Sequence, residues 1–310
     1  MRARTLTTLV AVTVGMALLT GCTDGIDSAV QQTPAPPVDL CSIAAPTGPL
    51  SDAVVVEGTV GSAASASFAH QLTIASAERS VVVEGGGEAL ESTSLVDLAT
   101  TVFDAATGEL VRTTGYDETA ALPTPAINVG QFLGCATVGS RVVVAVPEND
   151  QDGPTIWVLD VLGTQPSKAT GKDQKLVKGM PMVELATGGA STITIPREEP
   201  PTKTKVALLK KGAGAVVAPG DSVMVQYTGV RWSNGAVFDS SWINGVPTVL
   251  VTTELIDGYR EALEGRTVGS QVLVVIPPKS AYGEGEINED DLTGETLVFV
   301  IDILAAVPTV

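Results

Sequence analysis

Apolar and polar positions alternate with a period of two through several short stretches, and that period predicts strands. Val223, Val225 and Tyr227 share one face of such a strand. Ser191-Thr-Ile-Thr-Ile195 alternates in the same way before Pro196, Pro200 and Pro201 interrupt the chain, and Val206-Ala-Leu-Leu209 is a further short strand. Ser233-Asn-Gly235 marks a turn. The strand opening at Val237-Phe238-Asp239 then sets Phe238 and Asp239 on opposite faces unless a bulge intervenes. Around Gly258 the period changes to three and four, where Ile256, Tyr259 and Leu263 predict one helix stripe. A single helix laid across an antiparallel, half-closed sheet buries one face of each, and a small apolar cleft forms on the concave side. The fold class expected is therefore α+β.

The chain matches itself. Val138-Gly-Ser-Arg-Val-Val-Val-Ala-Val-Pro147 and Val268-Gly-Ser-Gln-Val-Leu-Val-Val-Ile-Pro277 share six of ten positions without a gap, and Leu133 and Thr137 extend the match to Leu263 and Thr267. Ile156–Leu162 aligns with Val298–Leu304 around Asp160 and Asp302. Between these blocks the first copy is twelve residues shorter, and the missing stretch contains Ala281-Tyr-Gly283 in the second. A gapless overlay sets Thr100 against Tyr227, Val111 against Phe238 and Arg112 against Asp239. The scaffold pattern repeats while polar and aromatic side chains are lost. Residues 41–165 are expected to be a degenerate copy of the domain at 181–310, with a polar, Lys-rich linker at 166–180 between them.

The N-terminus changes the setting. Arg2 and Arg4 precede an apolar run of 15 residues from Leu6 to Thr20, shorter than the ~20 needed to span a bilayer. It ends in Leu19-Thr-Gly-Cys22, the pattern of a bacterial lipoprotein signal: residues 1–21 are removed and Cys22 is acylated. Residues 22–40, polar with Pro34, Pro36 and Pro37, are expected to be a flexible tether. The protein is then lipid-anchored in the cell membrane and lies on its extracytoplasmic side. In an oxidising compartment, Cys41 and Cys135 are expected to pair; the alternative is two buried free thiols.

Composition excludes some functions. Net charge is −17, against binding nucleic acid or anionic lipid by charge. A lone histidine, His70, cannot build a metal site or a triad, so neither a metal nor a cofactor is expected. Aromatics make up only 4 % of the chain, which gives weight to where they fall.

Four pieces stand in order between Asp221 and Leu304: Val225-Gln-Tyr-Thr-Gly229, Gly235-Ala-Val-Phe-Asp-Ser-Ser241, Val274-Val-Ile-Pro-Pro278 with Ala281-Tyr-Gly283, and Thr296-Leu-Val-Phe-Val-Ile-Asp302. Together they resemble the FKBP-type peptidyl-prolyl isomerases. The resemblance implies two FKBP-like domains, each an antiparallel half-barrel sheet wrapped around one short helix. It implies a proline pocket lined by Tyr227, Phe238, Asp239, Tyr282 and Phe299 as catalytic residues, with Leu255, Ile256 and Tyr259 binding substrate. The sequence departs from the family pattern at Tyr259, where Trp is usual, at Pro247-Thr-Val-Leu250, which carries no Phe, and in the acidic stretch 284–294.

The implied activity is peptidyl-prolyl cis-trans isomerisation that assists the folding of exported proteins. The partners implied are proline-containing polypeptides and the membrane, through Cys22, with the chain itself a monomer. The alternative is a non-catalytic chaperone or adhesion module that kept the fold. Trp232 and Trp242 flank the Phe-Asp strand, as loop caps or as a rim for client chains.

Overall fold

Two antiparallel sheets dominate the chain, and each owes its position to strands with one face or both faces apolar. They were described in a computed structural model covering residues 37–116, 121–149, 153–175 and 177–309. The expected signal sequence, Cys22 and the tether up to residue 36 lie outside these residues. Residues 33–310 form one compact unit.

The first part of the chain runs α1 (Leu40–Ile43), α2 (Pro49–Asp52), β1 (Val55–Glu57), β2 (Ser65–Ser67), β3 (Glu78–Val83), β4 (Leu95–Asp104), β5 (Leu110–Thr114), β6 (Thr124–Pro125), α3 (Gly130–Leu133), β7 (Arg141–Val146) and β8 (Thr155–Gln165). A short strand, β9 (Lys172–Asp173), follows. The second part runs β10 (Met182–Leu185), β11 (Ser191–Thr194), β12 (Lys205–Lys211), β13 (Asp221–Arg231), β14 (Val237–Ser240), α4 (Ser241–Asn244), β15 (Thr248–Val251), α5 (Asp257–Leu263), β16 (Gln271–Ile276) and β17 (Leu297–Pro308).

Strand order is the same in both sheets, except that the second gains β9 at one edge. The first reads β3-β7-β8-β4-β5 with β6 beside β4; the second reads β14-β13-β17-β16-β12-β9 with β15 beside β13. A hairpin precedes the main strands of each, β1-β2 in the first part and β10-β11 in the second. Each sheet is apolar on both faces. The second buries Val223, Val225, Phe299, Ile301 and Ile303 under α5. Its reverse face buries Val230, Leu273, Val275, Val298 and Val300 against Ile193 and Trp232. In the first sheet, Val142, Val144, Leu159 and Val161 face α3, while Val143, Ala145, Ile156 and Val158 face the β1-β2 hairpin. Leu95, Met224 and Leu304 form a small cluster between the two sheets.

Two expectations of flexibility need correction. The tether does not run loose to residue 40: Leu40 is buried, and the Val38 amide donates to the Ser92 hydroxyl. The stretch at 166–180 is more than a solvated linker, since β9 pairs with β12 and the Ala169 amide donates to the buried Asp302 carboxylate. Its backbone satisfies a carboxylate that the core would otherwise leave short of donors.

The helix stripe also shifts. Ile256 caps α5 from outside, and the buried helical positions are Gly258, Tyr259, Ala262 and Leu263. Gly258 is needed for this packing, because a Cβ there would collide with Ile276 Cγ2. Cys41 and Cys135 are joined by a disulfide, with Cα atoms 4.8 Å apart, which ties α1 to the end of α3.

Candidate active site

Tyr227 and Gly229 lie on the face of β13 that looks toward α5, and the register sets Ile301 and Phe299 of β17 opposite them. Next to them, Gly229 pairs with Asp239 and Val230 with Val237, so Phe238 is the extra residue of a bulge. This is the bulge that the expected alternation of Phe238 and Asp239 left open, and both reach the same ring cluster. The rings of Phe238 and Phe299 meet edge to face with centroids 5.4 Å apart. The Tyr227 hydroxyl donates to Asp239 Oδ2 at 2.6 Å.

Tyr259 of α5 completes the cluster. Its ring stands 5.0 Å from Phe299 and 6.3 Å from Tyr227, close to perpendicular to both. Tyr227 and Phe299 are 6.2 Å apart. Aromatic pairs favour such edge-to-face contacts because the positive ring edge meets the negative face. Exposure is graded. Tyr259 and Phe299 are buried, Tyr227 and Phe238 half-buried, and Asp239 exposed. Leu255 and Ile256, half-buried, pack against the same core, as does Ala281. The Ile256 carbonyl accepts the amides of Tyr259 and Arg260, and its own N–H, ahead of the first helical turn, lies outside the helix ladder. Tyr282 is 56 % exposed and acts electrostatically on Tyr227.

The electrostatics keep protons on the phenols. Burial first, then the bond to Asp239, pushes the Tyr227 phenol above its ordinary range. Burial first, then the charges of Tyr227 and Asp239, does the same for Tyr259. Two residues that support the site were not singled out from sequence. Ser241 accepts the Tyr227 amide at 2.8 Å, anchoring the corner between β13 and α4. Gly229 leaves the space that the rings fill, since a Cβ there would lie 2.7 Å from Phe299 and 2.9 Å from Phe238. The Tyr-Thr-Gly motif contained that glycine, but only the packing shows what it is for.

The corresponding place in the first sheet is filled. Register sets Thr100 opposite Leu159 and Val102 opposite Trp157 and Arg112. In the second sheet these are the positions of Tyr227, Ile301, Gly229, Phe299 and Asp239. Val102 is fully buried where Gly229 leaves room. The Arg112 guanidinium covers Trp157 at 5.6 Å, and Phe132 packs on its ring at 5.6 Å.

The cavity of 680 Å³ near the junction of the two parts, lined by Val38, Ile127, Lys168, Gln226 and Trp242 among others, opens on the other face of β13 from Tyr227. No set of titratable groups converges there, and the ring cluster holds the stronger chemical argument. Trp232 is buried and donates to the Glu198 carbonyl, a structural cap. Trp242 lines the cavity. Among the described residues no group of three or more His, Cys, Asp or Glu could hold a metal ion, and no helix is long and apolar enough to cross a membrane.

Residues 214–304 match the family described as FKBP-type peptidyl-prolyl cis-trans isomerase. A probable FK506-binding protein of Corynebacterium glutamicum is 36 % identical over 126 residues, 41 % of this chain and 98 % of that protein. An FK506-binding protein of Streptomyces anulatus is 34 % identical over 36 % of this chain and 94 % of its own length. An outer membrane protein MIP of Legionella longbeachae is 32 % identical over 34 % of this chain and 45 % of its own length. With a relative above 30 % identity matched over nearly its whole length, the chain belongs to the family of FKBP-type peptidyl-prolyl cis-trans isomerases.

Proposed function

We propose that residues 181–310 form an isomerase domain that speeds cis-trans exchange at X–Pro bonds in exported polypeptides. The observation that carries this reading is the cluster of Tyr227, Phe238, Tyr259 and Phe299 gathered beside an Asp239 held by Tyr227. The X–Pro bond is nearly balanced between its two forms, yet exchange takes tens to hundreds of seconds because amide resonance raises a barrier of ~18–20 kcal/mol. No covalent step is required. The site needs only to bind the twisted imide better than either planar form.

A twisted imide carries less charge on its oxygen. A water-poor pocket of ring edges therefore disfavours the planar forms, which lose more solvation on entry. The proline ring sits among Phe238, Tyr259 and Phe299. The Ile256 amide and the Tyr282 hydroxyl orient substrate carbonyls at the rim. Asp239, aligned by Tyr227, positions the substrate and transfers no proton.

In the same reading, residues 41–165 are a degenerate FKBP-like domain without isomerase activity. The support is Val102, Thr100 and Arg112 standing where the second sheet has Gly229, Tyr227 and Asp239. A filled site favours a holding or spacing role for this part. Cys22 is acylated and tethers the protein to the outer side of the cell membrane; the support is Leu19-Thr-Gly-Cys22 after a 15-residue apolar run.

Exchange spectroscopy by NMR on a Leu-Pro peptide tests the activity with the full chain. The expected result is a rate above background that falls more than tenfold in Phe299→Ala. A chaperone that only holds its clients gives no acceleration, and its suppression of aggregation is indifferent to that substitution.

A further inference from the structure

Tyr259 carries an uncommitted donor. Its side chain is 5 % exposed, and its hydroxyl has no hydrogen-bond partner among the described residues. The other phenol of the cluster, the half-buried Tyr227, is engaged, because it donates a hydrogen bond to Asp239. Around the Tyr259 ring stand Phe299 at 5.0 Å and Tyr227 at 6.3 Å, and the surrounding core is apolar. A buried hydroxyl without a partner is destabilising, and natural cores rarely keep one without cause. Removing it with phenylalanine in the same space would relieve that cost.

We propose that the Tyr259 hydroxyl donates a hydrogen bond to the imide oxygen of an X–Pro substrate seated among these rings, and so sets affinity for substrate at some expense of turnover. This rests on the reading of the ring cluster as a prolyl site. The proline ring offers no acceptor of its own, and the imide oxygen is the polar atom nearest to it.

The bond has a defined effect on rate. Resonance places most charge on the imide oxygen in the planar forms and least in the twisted form. A donor to oxygen therefore strengthens ground-state binding more than binding of the twisted imide. Tyr259 makes the pocket tighter for planar X–Pro substrate, and slower than an all-apolar floor.

The test compares wild type and Tyr259→Phe as full chains, reading KM and kcat on a Leu-Pro peptide by NMR exchange together with thermal unfolding. One lost neutral hydrogen bond of ordinary strength corresponds to about fivefold. The expected result is KM raised about fivefold, kcat raised, and a higher Tm. An unchanged KM, or a Tm that falls, overturns the proposal, since the hydroxyl then serves the fold alone through a trapped water. If wild type shows no turnover, the Kd of the same peptide is read instead. Weaker binding by Tyr259→Phe sustains this inference while the isomerase reading falls; no binding by wild type overturns both.

Discussion

The contact between Tyr227 and Asp239 gives the most direct test of how the site is built. Its Oη···Oδ2 distance of 2.6 Å is short, as expected when the acceptor is charged. Such bonds contribute about 1.5–3 kcal/mol when shielded, whereas exposed pairs contribute about 0.2–1. Tyr227 is half-buried and Asp239 exposed, which places the coupling near 1 kcal/mol, or about fivefold in rate. A double-mutant cycle isolates it: Tyr227→Phe, Asp239→Ala and the pair, each assayed for kcat/KM on the same proline peptide. Tyr227→Phe should cost about fivefold more in the wild-type background than in Asp239→Ala. The pH profile adds a second readout. The phenol is held above its ordinary range by burial and by Asp239, so the donor is present below ~10 and is lost only as pH rises through the higher folded value. The coupling should therefore persist to pH 10. If the two costs simply add, so that Tyr227→Phe costs as much in Asp239→Ala as in wild type, Tyr227 does not align Asp239 and this account of the site fails.

The paired acids Asp160 and Asp302 should respond with opposite sign. Asp160 makes a two-pronged bond to the buried Arg141, at 2.6 and 2.7 Å, so Asp160→Asn strands a buried cation and should lower stability by about 3–5 kcal/mol in urea unfolding. Among the described residues Asp302 accepts the Ala169 amide and the Gln271 side chain, and burial raises its pKa. Its charge is then a net burden at neutral pH, with stability lost as pH rises from the ordinary carboxylate value of about 4 through the raised one; Asp302→Asn should be neutral or stabilising at pH 7 and show less of that loss. Replacing Cys41 and Cys135 by Ser opens a loop with a sequence separation of 94 and should cost up to about 4 kcal/mol by calorimetry, with the effect vanishing if wild type is first reduced. Gly229→Ala would push a Cβ into Phe299 and Phe238, and should reduce kcat/KM more than tenfold while far-UV circular dichroism is unchanged.

Much of the site could be read along the chain because its residues fall in short motifs whose order matches the strands. The overlay of Thr100 on Tyr227 and of Arg112 on Asp239 coincides with the register of the two sheets, since a strand pairs by its own period and an aligned Asp marks the same rung in each. Composition and alternation are local properties, and they sufficed to place strands, the α5 helix and the rings. They could not show that Phe238 is the extra residue of a bulge, which sends it and Asp239 to one face, because a bulge exists only relative to a partner strand. Nor could they show that 166–180 is drawn into the second sheet, that Gly229 is open where Val102 closes the equivalent place, or that the Tyr259 hydroxyl is left without a partner. Each of these depends on atoms brought together from distant parts of the chain, and packing and hydrogen-bond satisfaction are decided only when those parts meet.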